Sequence, residues 1–345
     1  MAANPFAVGS GLALASAVAF GVTTPFVQRF GHGVGPFTTA ALLYGGAACV
    51  SLLPRDRREA PLHGADAARL LVVAALGAVL APVALAWGLQ RTSGVTASLL
   101  LNLEAVFTVV LARAVWREPI GWRAAIAAGA MVAAGVLLVA DRRAASAAGG
   151  LGALAIVGAT LGWAGDNVFG RPLADRDPTR VVVAKGALGA ALSFVVARCL
   201  AETGPRWTSA AALIACGALG YGVSLRFYLR AQRIVGAARA GSVFAVAPFV
   251  GAVVAWALGE RAGGAATLAA GGLCAIGVWL HGTEAHEHEH THEPLVHEHA
   301  HRHDDGHHDH THDVLPEGEH SHPHRHDATT HAHSHGPDAH HRHGH

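Results

Sequence analysis

Charged residues in the first 281 positions are confined to short clusters, which separate long runs of Ala, Leu, Val and Gly. Most of these runs approach the ~20 residues that an α-helix needs to cross a hydrocarbon core of ~30 Å. A soluble fold could not bury so many apolar helices of this length. The pattern therefore predicts an all-α integral membrane protein with ten transmembrane helices, at about 7–28, 37–53, 70–89, 94–115, 122–140, 150–170, 180–200, 209–228, 236–258 and 264–281.

A segment around the fourth stretch returns 142 residues later without a gap. The matched pairs include Gln90 and Gln232, Arg91 and Arg233, Gly94 and Gly236, Phe107 and Phe249, and Glu118 and Glu260. Each copy holds five predicted spans, and because five is odd, the second copy must be inverted relative to the first, as in many secondary transporters. We expect residues 1–142 and 143–282 to form two inverted five-helix repeats, joined by a linker at Asp141–Gly150.

Beyond residue 282 no apolar segment remains, and 23 of the 26 histidines lie in this tail. Such a composition cannot bury enough apolar surface to offset the entropy lost on ordering the chain. Residues 283–345 are therefore expected to form a disordered tail rich in His, Asp and Glu.

The distribution of arginine indicates how the protein lies in the membrane. With the N-terminus inside, thirteen arginines fall in cytoplasmic loops and seven on the opposite side, which favours cytoplasmic N- and C-termini by the positive-inside rule. We expect a multi-pass protein of the inner (cytoplasmic) cell membrane, either monomer or homodimer, with the lipid bilayer as a partner. No basic stripe indicates nucleic acid. The sequence shows neither a nucleophile–base pair nor a phosphate-binding loop, so we do not expect an enzyme. No cofactor is expected to be required.

Polar side chains inside the spans are the first candidates for a functional site, because a charge at a helix centre costs about 2.5–3.5 kcal/mol on insertion scales. Glu104 fits either a substrate or proton site facing a central cavity, or a structural partner of Lys185. Asp166 fits either role, and Lys185 is expected near the interface, where its stem can reach the headgroups. The polar candidates for substrate binding are Asn102, Glu104 and Thr108 in the fourth span, and Asp166 and Asn167 in the sixth.

Aromatic residues in the spans add further candidates for a cavity wall, although packing and interfacial roles are commoner for such residues. The candidates are Tyr44, Trp87, Trp163 and Tyr221.

The tail repeats the pattern HxHxH, which in an extended chain presents several imidazoles on one side. Imidazole is a ligand for Zn, Ni and Co, and the interspersed carboxylates add charge and harder ligands. A divalent metal bound by the tail is therefore expected, and a pH-responsive solvated tail is the alternative. The candidate ligands are His286, His288, His290, His297, His299, His301, His303, His307, His308, His310, His312, His320, His322, His324, His331, His333 and His335.

The segments ASLLLNLEAVFTVVLARAVWRE at 97–118 and GSVFAVAPFVGAVVAWALGE at 241–260, with ten short spans in two halves, resemble the drug/metabolite transporter superfamily, EamA type. The resemblance covers residues 7–281. It implies a ten-helix inverted-repeat bundle that moves small metabolites, often outward, by alternating access. It also implies a cavity between the halves that includes Asn102, Glu104 and the Val246–Phe249 region, so that Phe249 joins the candidate substrate ligands.

Three functions compete on this sequence. The first is a secondary transporter, expected to be an exporter, of a small organic metabolite or drug, with a cytoplasmic metal-binding tail. The second is a transporter of Ni, Co or Zn, against which the spans hold no interior histidine. The third is a membrane-tethered metal buffer or sensor, for which ten spans and buried charges are more than an anchor needs.

Overall fold

The computed structural model describes residues 5–49, 60–117, 120–140, 147–173, 176–235, 237–260, 264–282, 286–291, 295–301, 320–326 and 330–335. The helices of the first half are α1 (Pro5–Gly31), α2 (Pro36–Ala48), α3 (Ala67–Ala74), α4 (Ala81–Leu89), α5 (Gly94–Leu100), α6 (Leu103–Trp116) and α7 (Trp122–Ala140). Those of the second half are α8 (Ala147–Gly170), α9 (Pro178–Cys199), α10 (Trp207–Cys216), α11 (Ser224–Val235), α12 (Ala237–Phe244), α13 (Ala247–Ala257) and α14 (Ala265–Gly282).

Several helices begin at positions that the local sequence specifies. The Ser93 side chain accepts a hydrogen bond from the Thr96 N–H at 3.0 Å and caps α5. Asp177 caps α9 in the same way and is followed by Pro178 in the first helical turn. Both caps satisfy backbone donors that the helix itself leaves unpaired, so these starts are fixed by short-range chemistry.

Helices that are long enough and apolar enough to cross a membrane account for most of the described chain. Seven segments meet both criteria, and Ala265–Leu280 is a shorter apolar helix. The seven are Ala7–Gly31, Gly64–Leu89, Gly94–Trp116, Trp122–Ala140, Pro178–Cys199, Trp207–Val235 and Ala240–Ala257. The protein is therefore a multi-pass membrane protein, and the total of ten spans stays a prediction.

Contacts between helices follow the internal repeat. A shift of 142 residues relates α1 to α8, α4 to α11 and α6 to α13. The contact of α1 with α11 is matched by that of α8 with α4, and the contact of α1 with α13 by that of α8 with α6. The repeat mates α2 and α9 pack directly against each other, as do α7 and α14. Two halves that exchange partners in this way are related by an approximate twofold axis.

Two spans widen into π-helical turns at repeat-related positions. The first, π1 (Ala75–Leu80), lies between α3 and α4, and the second, π2 (Gly217–Val223), lies between α10 and α11. Near π1, Pro82 has no N–H to donate to the carbonyl four residues earlier, and the Ala81 N–H bonds to the Leu76 carbonyl instead. Single π-helical turns inside α-helices occur frequently at functional sites.

Two further spans are broken near the middle. The fourth span is interrupted between α5 and α6, and the ninth between α12 and α13. At the first break, i→i+3 bonds such as Asn102 N–H to Leu99 O at 3.2 Å replace the α-helical pattern. At the second, the Val246 N–H bonds to Val243 O in the same manner. Both breaks redirect the side chains at the centre of the bundle.

The tail departs from the prediction of disorder. Its described residues form four strands, β1 (His286–Thr291), β2 (Leu295–His301), β3 (His320–His326) and β4 (Thr330–His335). β1 pairs antiparallel with β4, and β2 with β3. In these segments histidine alternates with other residues, which matches the two-residue period of a β-strand. The same polar sequence that predicts a solvated chain is therefore compatible with strand pairing.

Candidate functional site

The break in the fourth span places Glu104 in the first turn of α6, opposite α8. Its Oε1 accepts a hydrogen bond of 2.8 Å from Asn167 Nδ2. Asn167 lies on the same face of α8 as Thr160, Trp163 and Ala164, which are all buried, yet Asn167 itself is exposed. Asn167 is therefore the exposed position on an otherwise buried face of α8, and it is bonded to the partly buried Glu104 carboxylate.

A buried ion pair lies one residue away along α8. Lys185 on α9 donates to the Asp166 carboxylate, and Lys185 is only 5% exposed. The side chain is therefore buried against a carboxylate, and its position near the membrane interface stays a prediction. The carboxylate explains the burial of the lysine, because a paired charge is tolerated where an isolated one is not.

The Gly77 carbonyl in π1 serves as a second polar anchor. It accepts hydrogen bonds from the Tyr44 hydroxyl and, at 3.0 Å, from Trp163 Nε1. A Cβ at Gly77 would overlap the Asp166 carboxylate, so glycine is needed at this approach. The π-helical turn thus holds two aromatic residues and the ion pair in fixed relation.

An aromatic wall borders the same region. The Phe20 ring lies 5.9 Å from Trp163 and 5.6 Å from Tyr221, both edge-on, and Tyr44 lies 5.5 Å from Tyr221. Phe244, at the break of the ninth span, extends this wall at 5.8 Å from Phe20. The Tyr221 hydroxyl is buried and has no hydrogen-bond partner among the described residues. A buried hydroxyl in that position is available to a ligand.

The structure brings most of the predicted polar residues together. Glu104 is bonded to Asn167, which is adjacent to Asp166, and Trp163, one turn earlier on α8, contacts the Tyr221 ring at 6.3 Å. Thr108 lies one turn after Glu104, on the same side of α6. The roles of all of them as substrate ligands stay predictions.

Three other candidates lie at different places. Asn102 is buried at the break, where its Nδ2 donates to Leu99 O at 3.1 Å. Phe249 is partly buried and packs against the main hydrophobic core. Trp87 lies at the end of α4, with the Arg91 guanidinium stacked 3.8 Å above its ring.

Trp87 borders a cavity at the face of the bundle opposite the N-terminus. Its volume is about 310 Å³. This cavity is lined by Gly33, Val34, Gly35, Pro36, Trp87, Gln90, Arg91, Glu202 and Thr203. Its charged residues already make structural contacts within the protein, since Glu202 accepts hydrogen bonds from the Phe37 and Thr38 N–H groups.

Phe20, Phe244 and Tyr228 are absent from the residues selected on sequence. Phe20 lies in the first span, from which no residue was selected, and Tyr228, whose ring lies 5.0 Å from that of Phe244, lies between Arg226 and Arg230 at the end of a predicted span. Phe244 could have been selected from the repeat, because it occupies the position of Asn102 in the second copy and both residues lie at the breaks of their spans.

The tail histidines fall into two groups. Twelve of the seventeen candidate ligands lie in the strands, where the register sets His288 opposite His333 and His299 opposite His322. The remaining candidates, His303, His307, His308, His310 and His312, lie outside the described residues. In the described part of the helical unit, no three His, Cys, Asp or Glu side chains come close enough to hold one metal ion.

Comparisons with known proteins identify the family. The model of the EamA-like transporter family matches residues 7–140 and again residues 150–283. No curated protein matches the sequence. A solved structure described only as the crystal structure of a protein superposes with a TM-score of 0.56 at 20% identity, covering 79% of this chain and 95% of that chain, which supports the fold alone. The two family matches, one on each half of the inverted bundle, confirm the resemblance, and the chain belongs to the EamA-like transporter family of the drug/metabolite transporter superfamily.

Proposed function

We propose that this protein is a secondary transporter that exports a small organic metabolite or drug by alternating access through the site around Glu104. The observation that carries the proposal is the Glu104–Asn167 hydrogen bond, which joins the interrupted fourth span of the first repeat to α8 of the second. Discontinuous helices at the interface of inverted repeats are where such transporters bind substrate.

The test begins with growth of a strain lacking the gene against an array of amino acids, drugs and metals. A compound that the deletion makes toxic is then used in counterflow assays with the purified full chain in liposomes. Glu104→Gln is expected to lower the flux by about tenfold or more, since it removes one partner of a buried charge contact. Glu284→Gln, a matched change outside the membrane unit, is the control. Flux through Glu104→Gln at the rate of the unmodified protein would contradict the proposal.

The tail is proposed to bind divalent metal on the cytoplasmic side. Its support is the density of imidazoles and the strand register, which aligns histidines with histidines in both pairs. Neutral imidazole suits Zn, Ni and Co. Calorimetric titration of the full chain with each metal is expected to show binding that disappears when residues 283–345 are removed, while flux persists. Unchanged metal binding after the deletion would refute a tail site.

The same histidines favour a second candidate, transport of Ni, Co or Zn. That function predicts metal flux in liposomes that is lost both with Glu104→Gln and with the tail deletion. Organic flux without metal flux would leave the first proposal standing, and metal binding with no flux of any kind would favour a tethered buffer.

A further inference from the structure

The charges around Glu104 do not balance. Its described hydrogen-bond partner is the neutral Asn167 amide. Lys185 is paired with Asp166, the residue adjacent to Asn167. The site therefore carries one negative charge in excess among the described residues whenever Glu104 is ionised.

The aromatic groups near Glu104 are neutral. The Tyr44 ring lies 5.5 Å from that of Tyr221, and Tyr221 lies 6.3 Å from Trp163, one turn before Asn167 on α8. None of these side chains can neutralise a carboxylate. An ionised carboxylate inside a membrane protein is stabilised by a cation, a role that a positively charged ligand can take when Glu104 is not protonated.

The aromatic wall adds an independent argument for a positive ligand. Aromatic faces carry negative potential and attract ammonium groups, most strongly where water is excluded. Phe20, Tyr44, Trp163 and Tyr221 form a continuous set of ring contacts with centroid separations of 5.5 to 6.3 Å. Phe20 is only partly buried, so its ring offers apolar surface to the uncharged part of a ligand.

We propose that the site binds a small monovalent organic cation, with its nitrogen beside Glu104 and its apolar body against the wall formed by Phe20, Trp163 and Tyr221. This inference rests on the proposed transport function and adds the substrate class. A zwitterion or an anion fits less well, because its carboxylate would meet Glu104 while Lys185 remains paired with Asp166.

Three probes of similar size separate the charge classes. They are benzyltrimethylammonium as the cation, phenylalanine as the zwitterion and 3-phenylpropionate as the anion. Binding to the full chain in lipid nanodiscs is measured by calorimetry, and flux by counterflow in liposomes. The cation is expected to bind about tenfold or more tightly than either other probe, as expected for a ligand that gains a charge partner.

Variants locate the interaction. Glu104→Gln is expected to weaken cation binding by about tenfold or more, and Trp163→Phe to weaken it by a smaller factor. Trp122→Phe is the matched control, because Trp122 is 69% exposed and lies outside the aromatic wall. Thermal unfolding of each variant checks that the bundle remains intact.

The outcomes distinguish this inference from the transport function itself. Preferred binding of phenylalanine or 3-phenylpropionate, absence of cation binding, or cation binding unaffected by Glu104→Gln would each overturn the cation assignment. Glu104-dependent flux of a non-cationic compound would overturn it while leaving transport intact. Absence of flux for every compound in the growth array would instead count against transport.

Discussion

The ion pair between Lys185 and Asp166 shows how single residues shape this site. Both side chains are largely buried, with exposed fractions of 7% and 12%. Separating two charges from water costs free energy, which their mutual attraction recovers only when both are present. The pair therefore links α8 to α9, which both pack against π1, one residue from the Asn167 contact with Glu104.

Replacing one partner should be far more damaging than replacing both. Lys185→Met leaves the Asp166 carboxylate without its cation and is expected to lower the free energy of unfolding by about 3–5 kcal/mol. The combination of Lys185→Met with Asp166→Asn should recover most of that loss. Denaturant unfolding of the purified protein in detergent measures the three variants, and equal losses in the single and double variants would contradict the pairing.

Sequence reasoning selected Asp166 but did not pair it with Lys185. A lone lysine in an apolar span is best accommodated near the headgroups, and a carboxylate within reach removes that need. The partner lies 19 residues earlier, on α8. The two residues meet because α8 and α9 both pack against π1, an arrangement that one sequence does not reveal.

At the scale of elements, close backbone contacts hold α2 against the eighth span. A Cβ at Gly46 would overlap the Ile214 carbonyl, and a Cβ at Gly217 would overlap the Leu43 carbonyl. Lipid gives helices no hydrophobic reason to associate, so contact through small residues supplies the packing. This packing also fixes π2, which begins at Gly217 and carries Tyr221 into the site.

Two adjacent glycines of α2 provide a matched comparison. Gly46→Ala is expected to lower the free energy of unfolding by about 1–3 kcal/mol, the usual cost of overpacking. Gly45→Ala meets no atom within 4 Å and should be neutral or slightly stabilising, because alanine favours helix over glycine. Thermal unfolding in detergent compares the two. Equal effects would show that the close approach does not limit stability.

The π-helical turns mark the limit of element prediction from sequence. Pro82 signals a disturbed span, but π2 has no proline in the matching position, which is occupied by Ser224. There the Ser16 hydroxyl donates to the Ser224 carbonyl at 2.7 Å. The symmetry of the two turns is visible only once both halves are folded, because different local chemistry supports each.

At the scale of the whole molecule, the internal repeat predicted the arrangement of the two halves. The residues that form the site are nevertheless asymmetric. The exchanged contacts of α1 with α11 and α8 with α4 express the repeat in three dimensions. The charged site draws Glu104 from the first half, and Asp166 and Lys185 from the second. Because Val246 occupies the place of Glu104 in the second copy, the symmetry of the scaffold does not extend to its chemistry.

The orientation in the membrane is the remaining prediction of the repeat and the arginine distribution. In a chain whose four cysteines are replaced by serine, His32→Cys and Gly204→Cys introduce thiols at exposed positions on the face opposite the N-terminus. Gly64→Cys introduces one on the other face. If the termini are cytoplasmic, a membrane-impermeant maleimide added to intact cells should label the first two positions, and label Gly64→Cys only after permeabilisation. The reverse pattern would place the His-rich tail outside the cell, where it could not sense cytoplasmic metal.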